Sequence, residues 1–124
     1  MLGNEAQANT SKILLSPVSA ANTAAATSSW VDVRSAVGDI QFRVQTGAVT
    51  GSITWTVETA TDGSGTGSAA LTPSDGAFTA GAANQLQTRA IQCNASKGYV
   101  RCVGTIVTGP SIVAASVHYR PQIV

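Results

Sequence analysis

The sequence has little charge, few aromatic side chains and no long apolar run. Of its 124 residues only 10% are charged and 5% are aromatic, and the formal net charge is +1. The chain therefore lacks the basic surface that attracts phosphate backbones, and we expect no nucleic-acid partner. No stretch is long enough to cross a membrane as a helix, so we expect no membrane partner.

Side chains that bind metals are also scarce. The sequence has one histidine, His118, and two cysteines, Cys93 and Cys102. These are too few ligands for a metal site, and we predict no metal or other cofactor. If the turn at residues 94–98 closes a hairpin, the two sulfurs lie on different rungs, too far apart to bond. Both cysteines are predicted to be reduced.

No arrangement of residues points to catalysis, and the chain is predicted not to be an enzyme. Serine is frequent, but no serine sits in a Gly-x-Ser-x-Gly turn that would suit a nucleophile. The glycines of residues 63–67 lead into no helix and no Gly-Lys-Ser/Thr, so we expect a mobile surface loop rather than a phosphate site. The carboxylates lie mostly near turns, with no sign of a facing pair. The candidates for such a pair are Asp32, Asp39, Glu58, Asp62 and Asp75.

What the sequence does contain is short β-type segments joined by turns of small residues. Ile40, Phe42 and Val44 alternate with polar residues, and residues 53–58 continue the pattern after a turn at residues 47–51. These two strands are expected to form a hairpin, and the last three strands a meander. The predicted strands cover residues 12–18, 30–34, 40–45, 53–58, 86–93, 99–107 and 112–119. Residues 69–72 and 77–79 are two further short segments that could form strands.

Seven or eight short strands without an amphipathic helix predict a single all-β domain. We expect an antiparallel β-sandwich of the jelly-roll type, although periodicity alone does not distinguish it from an immunoglobulin-like sandwich. Residues 1–12 are predicted to be an extended N-terminal arm, ordered by a neighbour, and residues 13–124 the sandwich domain. The start of the chain has no basic n-region, which favours intracellular synthesis.

The two tryptophans are the main candidates for a binding platform. Trp55 is in phase with Ile53 and Val57, so it is predicted to lie in the core. Trp30, at a strand start, is less determined. An exposed tryptophan on a β-sandwich can stack on a sugar, which keeps carbohydrate binding open as an alternative.

Two segments resemble recurrent parts of small tailed-phage virion proteins. One runs from Ile53 to Ala69, where the strand at residues 54–58 leads into Thr61-Asp62-Gly63. The other is the closing part of the chain, where an aromatic residue and an arginine alternate in residues 98–106, before Gly109-Pro110-Ser111. Together they cover about half of the chain. They are similar to segments of bacteriophage capsid decoration, or cement, proteins.

The resemblance implies a structural virion protein that is made in the bacterial host cytoplasm and binds the outer surface of the phage head. Such a protein would form a homotrimer, bind the major capsid protein and stabilise contacts between its subunits. Within the N-terminal arm, six residues are the expected capsid contacts: Leu2, Asn4, Glu5, Gln7, Asn9 and Lys12. The alternative is a tail or head-fibre adhesin domain that binds a host surface glycan through Trp30 or through loop residues.

Overall fold

The computed structural model describes residues 10–122 and places eight β-strands in that range. The strands are β1 (Thr10–Ala20), β2 (Val31–Asp32), β3 (Ala36–Val49), β4 (Ile53–Ala60), β5 (Ala69–Leu71), β6 (Leu86–Gln92), β7 (Tyr99–Ile106) and β8 (Ser111–Pro121). One turn of 3₁₀ helix, Cys93–Ala95, follows β6. The prediction of an all-β chain is confirmed.

The strands form two antiparallel four-stranded sheets. Sheet A has the order β1-β8-β3-β6 and sheet B the order β2-β7-β4-β5. The first strand pairs with the eighth, the second with the seventh, the third with the sixth and the fourth with the fifth. This nested pairing is the double Greek key of a jelly roll. The predicted jelly-roll-like sandwich is therefore confirmed, and the immunoglobulin-like strand order does not apply.

The core lies between the two sheets and follows directly from the period of two. Ile40, Phe42 and Val44 of β3 are buried, while the residues between them point outward. From sheet B, Trp55 and Val57 of β4 are buried in the same apolar cluster. The alternation puts one apolar row of each sheet inside, and the two rows pack against each other.

Both predicted hairpin arrangements are wrong. β3 pairs with β6 and β8, whereas β4 pairs with β5 and β7, so the turn between β3 and β4 carries the chain from sheet A to sheet B. The predicted meander is likewise split, with β6 and β8 in sheet A and β7 in sheet B. Alternation indicates which side of a strand is buried, but it does not indicate which strand pairs with it. The same apolar row is buried whether the next strand lies in the same sheet or in the opposite one.

The corner between β3 and β4 depends on a glycine. Gly51 has a φ of 73°, a conformation that L side chains rarely adopt. A Cβ at this position would lie 2.5 Å from Cβ of Thr108, in the neighbouring turn between β7 and β8. The glycine thus lets two corners of the sandwich approach each other closely.

The first strand begins earlier than the predicted domain boundary. Thr10 already pairs with Tyr119, so Thr10–Lys12 belong to sheet A, while residues 1–9 lie outside the described residues. Pro17 does not end β1, which continues to Ala20 after two shifts in register. β1 is an edge strand, where the missing N–H of a proline need not cost a ladder hydrogen bond.

Two other predicted strands are shorter or absent. In the segment predicted at residues 30–34, only Val31–Asp32 pairs as a strand. Residues 77–79 form no strand; instead, Gln87 holds Thr79 through its side-chain amide, which accepts from the backbone N–H of Thr79 and donates to its carbonyl. Side-chain hydrogen bonds replace a strand ladder here.

Candidate binding surfaces

The outward side of sheet A carries large apolar side chains in solvent. Ile13 of β1 is 67% exposed, Leu86 of β6 is 60% exposed and Ile112 of β8 is 47% exposed. Ala114 of β8 lies between them in the sheet, opposite Gln45 of β3. We call this outward surface the sheet A face. Its apolar residues come from three strands that are distant in the sequence.

A shallow apolar groove runs along this face. Its floor and walls include Ile13, Leu15, Pro17, Leu86 and Ala114. The groove continues along the same face to Gly47 of β3 and Ile112 of β8. Because Ala114 is small, the larger side chains around it leave an open depression rather than a filled surface.

The polar end of the sheet A face is built around His118. Its Nδ1 lies 2.8 Å from Oγ of Ser11, and its Nε2 lies 2.8 Å from Oγ of Ser116. A neutral imidazole has one donor and one acceptor nitrogen, so one serine donates and the other accepts. Partial burial and, secondly, the charge of Arg43 lower the pKa of His118 below its usual 6.5. The ring is therefore neutral at physiological pH.

This serine–histidine arrangement differs from a hydrolase triad. In a triad a carboxylate holds the second ring nitrogen and orients the base. In the described part of the chain, both nitrogens of His118 are instead held by serine hydroxyls. Hydroxyl partners fix the orientation of the ring but supply no negative charge to stabilise its protonated form.

Two arginines give this end of the sheet A face a positive charge. Arg43 and Arg120 line the same shallow depression as His118 and Asp39. Within residues 10–122 the ion pairs are Arg34–Asp32 and Arg101–Glu58. Neither Arg43 nor Arg120 thus has a carboxylate at ion-pair distance in that range, and both residues are exposed.

The outward side of sheet B, which we call the sheet B face, is organised differently. Nε of Arg101 donates to Oε1 of Glu58 over 2.7 Å, and the same guanidinium lies 4.5 Å from the centroid of the Trp30 ring. Gly65 packs beside the indole; a Cβ there would lie 2.9 Å from Nε1 of Trp30. Trp30 is half-buried and already contacts its own chain on one ring face and one edge.

The glycine-rich loop lies against this tryptophan and has its own hydrogen bonds. Oδ1 of Asp62 accepts the backbone N–H groups of Ser64 and Thr66 at 2.8 and 3.1 Å. The hydrogen bond with the Thr66 side chain, followed by those from the backbone N–H groups of Thr66 and Ser64, lowers the pKa of Asp62. Nζ of Lys97 donates to the carbonyl of Gly67. The predicted loop is confirmed, and two of its amides bind Asp62.

The predicted capsid contacts fall largely outside the described residues. Leu2, Asn4, Glu5, Gln7 and Asn9 lie there, so their role stays a prediction. Lys12 is in β1, where its ammonium donates to the carbonyl of Asp32 over 2.9 Å and lies 5.5 Å from the Tyr119 ring centroid. The side chain of Lys12 therefore links the edge of sheet A to β2 of sheet B.

The other singled-out residues are mostly structural. Trp55 is 2% exposed, which confirms its predicted core position. Cys93 and Cys102 are both free, as predicted. The predicted hairpin around residues 94–98 is wrong, because β6 and β7 lie in different sheets. Cys102 is buried, and burial raises the pKa of its thiol to about 12. Its thiolate form is therefore suppressed at neutral pH.

The carboxylates singled out in the sequence serve separate local roles. Asp32 binds Arg34 and Glu58 binds Arg101, while Asp62 closes the glycine-rich loop. Oδ1 of Asp75 accepts the backbone N–H of Ala90 over 3.1 Å. Asp39, by contrast, is exposed at the polar end of the sheet A face.

The sheet A face was missed from the sequence, although a signal was present. Ile13 precedes Leu14, Leu86 precedes the buried Gln87, and Ile112 precedes Val113. In a strand of period two, a large apolar residue next to a buried residue must point outward unless a bulge intervenes. Two adjacent apolar residues, as in Ile13-Leu14 and Ile112-Val113, cannot both point inward, so the sequence signalled an outward apolar side chain at these two places. Leu86, beside the polar Gln87, gave no such signal.

Comparison with known proteins adds no relative. No protein-family description matches the chain, and no curated protein matches it in sequence. Within residues 10–122, no three histidine, cysteine, aspartate or glutamate side chains are placed to share a metal ion. In the same range no helix is long and apolar enough to cross a lipid bilayer.

Proposed function

We propose that this chain is a structural virion protein, a capsid decoration protein that binds the outer surface of a phage head. The observation that carries the proposal is the sheet A face. Large aliphatic residues of three strands are exposed there on a hydrogen-bonded sheet. Exposed apolar patches on a rigid support mark surfaces that other proteins cover.

The edge of sheet A supports binding through its face rather than through strand addition. β1 is one of the two edge strands of sheet A, and β6 is the other. In β1, Lys12 points toward the interior, and Pro17 and two register shifts interrupt the ladder. Inward-pointing lysines, prolines and bulges are the devices by which sheets discourage pairing with another strand. At the β1 edge, a partner of sheet A is thus directed to the apolar face.

On this proposal the work of the protein is mechanical. A copy that contacts two or more subunits of the major capsid protein adds buried surface that must be broken before the subunits separate. A homotrimer multiplies those contacts through multivalency. The N-terminal arm would add contacts beside the same sheet, because Thr10 begins the edge strand β1.

The second candidate is an adhesin that binds a host glycan through Trp30. It is favoured by the half-exposed indole of Trp30 beside Arg101 on the sheet B face. The contacts that Trp30 already makes with Arg101 and Gly65 leave less of the ring for a sugar. We therefore place this function second.

Co-sedimentation with phage heads tests the proposal. The intact chain and a chain lacking residues 1–9 would be mixed with heads of the parent phage assembled without this protein. Saturable binding of the intact chain is expected, with weaker binding after truncation; Trp30→Ala should bind the heads like the intact chain. An intact, folded chain that stays in the supernatant would contradict the decoration role, and loss of glycan binding in Trp30→Ala would then favour the adhesin.

A further inference from the structure

We infer that the sheet A face is the surface that docks on the capsid, and that it takes a partner surface presenting aliphatic side chains beside a carboxylate. The inference rests on the proposed function, because it names the surface and the chemistry of that contact. The face has an apolar half and a cationic half, and each half selects one feature of the partner.

The apolar half selects aliphatic side chains. Ile13 and Leu86 stand on opposite edge strands of sheet A and are each more than half exposed. Between them, Ala114 leaves the open groove. A partner side chain of leucine or isoleucine size placed in this groove would remove apolar surface of both chains from water. That removal is the main favourable term in protein association.

The cationic half selects a carboxylate. Arg43 lines both the apolar groove and the polar depression, so it stands at the boundary of the two halves. Arg120 lies in the same depression, and His118 is neutral there at physiological pH. Asp39 is the acidic residue at this end, so two guanidinium groups face one carboxylate. A partner carboxylate near Arg43 would form a charge-assisted, bidentate hydrogen bond.

The charge distribution favours a different protein over a second copy. In a two-fold contact the same patch meets itself. Arg43 lies on the central strand β3, opposite Ser116 of β8 and Thr88 of β6. A facing copy would bring a second Arg43 and Arg120 to the interface, and only Asp39 in each copy to balance them. A partner that presents a carboxylate at this position supplies the missing charge, and on the proposed function that partner is the capsid subunit rather than a second copy.

Three variants on the sheet A face and two on the sheet B face test the inference. Leu86→Ser shortens an exposed apolar side chain, Ala114→Arg fills the groove, and Arg43→Glu reverses the charge. The matched controls are Thr54→Arg and Thr105→Glu, at exposed positions of β4 and β7. Thermal unfolding of each variant shows whether it folds, and Leu86→Ser keeps the test valid if the arginine in the groove disturbs the sheet.

Binding is measured by co-sedimentation with the same heads, and oligomeric state by sedimentation velocity. We expect each sheet A variant to weaken binding by about tenfold or more, because a central contact is lost or opposed. Both controls should bind like the unmodified chain. Arg43→Gln should also bind more weakly, and its binding should depend less on salt concentration than that of the unmodified chain.

The possible contrary results separate the inference from the proposed function. If the unmodified chain binds and the folded sheet A variants bind equally well, the docking surface lies elsewhere while the decoration role stands. If heads do not bind the unmodified chain, both are overturned. If the sheet A variants change the oligomeric state but still bind heads normally, the face belongs to a second copy and the inference is wrong.

Discussion

The two outward faces of this sandwich are built on the same strand pattern but differ in what covers them. On the sheet B face, Arg101 pairs with Glu58 and stacks on Trp30. The loop at residues 61–68 packs against the same tryptophan. On the sheet A face, Ile13 is 67% exposed, with no such cover from residues 10–122.

The difference shows which side of the molecule is completed by its own chain. Aromatic and charged groups on the sheet B face find their partners within the described residues. The sheet A face carries apolar side chains and the guanidinium group of Arg43, which has no carboxylate at ion-pair distance in residues 10–122. A surface left in this condition on a rigid sheet is suited to a partner. Within the described residues, the polar and aromatic groups of the sheet B face contact one another, whereas the apolar side chains of the sheet A face are exposed.

The largest difference in stability is expected between substitutions on the inner and the outer side of β3. Phe42 is fully buried, and Phe42→Ala should lower the free energy of unfolding by about 3–5 kcal/mol through lost burial and the cavity left behind. Its neighbour Arg43 points outward, and Arg43→Ala should change stability by less than about 0.5 kcal/mol. Urea unfolding of both variants checks the contrast; equal losses would mean that Arg43 is tied into the fold.

A smaller effect is expected from the matched arginines of the two faces. Arg101→Ala removes both the bond to Glu58 and the stacking on Trp30, and should cost about 1 kcal/mol of stability. Arg43→Ala again serves as the comparison. A double-mutant cycle of Arg101→Ala with Trp30→Ala measures the stacking itself. A coupling free energy near zero would show that the covered state of the sheet B face does not depend on this contact.

Acid should weaken the hold on the short strand β2 through Asp32. The hydrogen bond from the Arg34 side chain is the main cause that lowers the pKa of Asp32 from 3.8 to about 2. The ionised carboxylate therefore stabilises the folded state above pH 3.8, and this contribution is lost as the pH falls towards 2. The pair is exposed, so the loss should be under about 1 kcal/mol. Thermal unfolding between pH 5 and pH 2 should show it, and Asp32→Asn should reduce the slope.

The smallest effect is expected at His118 on the sheet A face. Its pKa is below 6.5 in the folded chain because burial and Arg43 disfavour the charged ring. As the pH falls below 6.5, the unfolded chain takes up the proton first, and the stability of the folded state decreases. His118→Gln should remove this dependence. The measurement is the change in the midpoint temperature of thermal unfolding between pH 7 and pH 5. If this change is the same in both proteins, the ring is more open to solvent than its serine contacts indicate.

Much of the local structure could be predicted from the sequence. The alternation of Ile40, Phe42 and Val44 identified both a strand and its buried side, and the phase of Trp55 placed it in the core. The alternating pattern does not predict whether Trp30 is buried, because this residue stands outside the pattern. Its position depends on Arg101 and a loop glycine, which lie far from it in the sequence. Local patterns carry no information about such neighbours.

The sequence by itself determined that the chain forms short strands, where most of them lie, and which side chains of β3 and β4 are buried. These features depend on the local backbone geometry, in which successive side chains point to opposite sides. Only the tertiary structure decided the strand partners, because antiparallel pairing joins residues as distant as Thr10 and Tyr119. The sheet A face exists for the same reason. Ile13, Leu86 and Ile112 become one surface only when β1, β6 and β8 enter the same sheet.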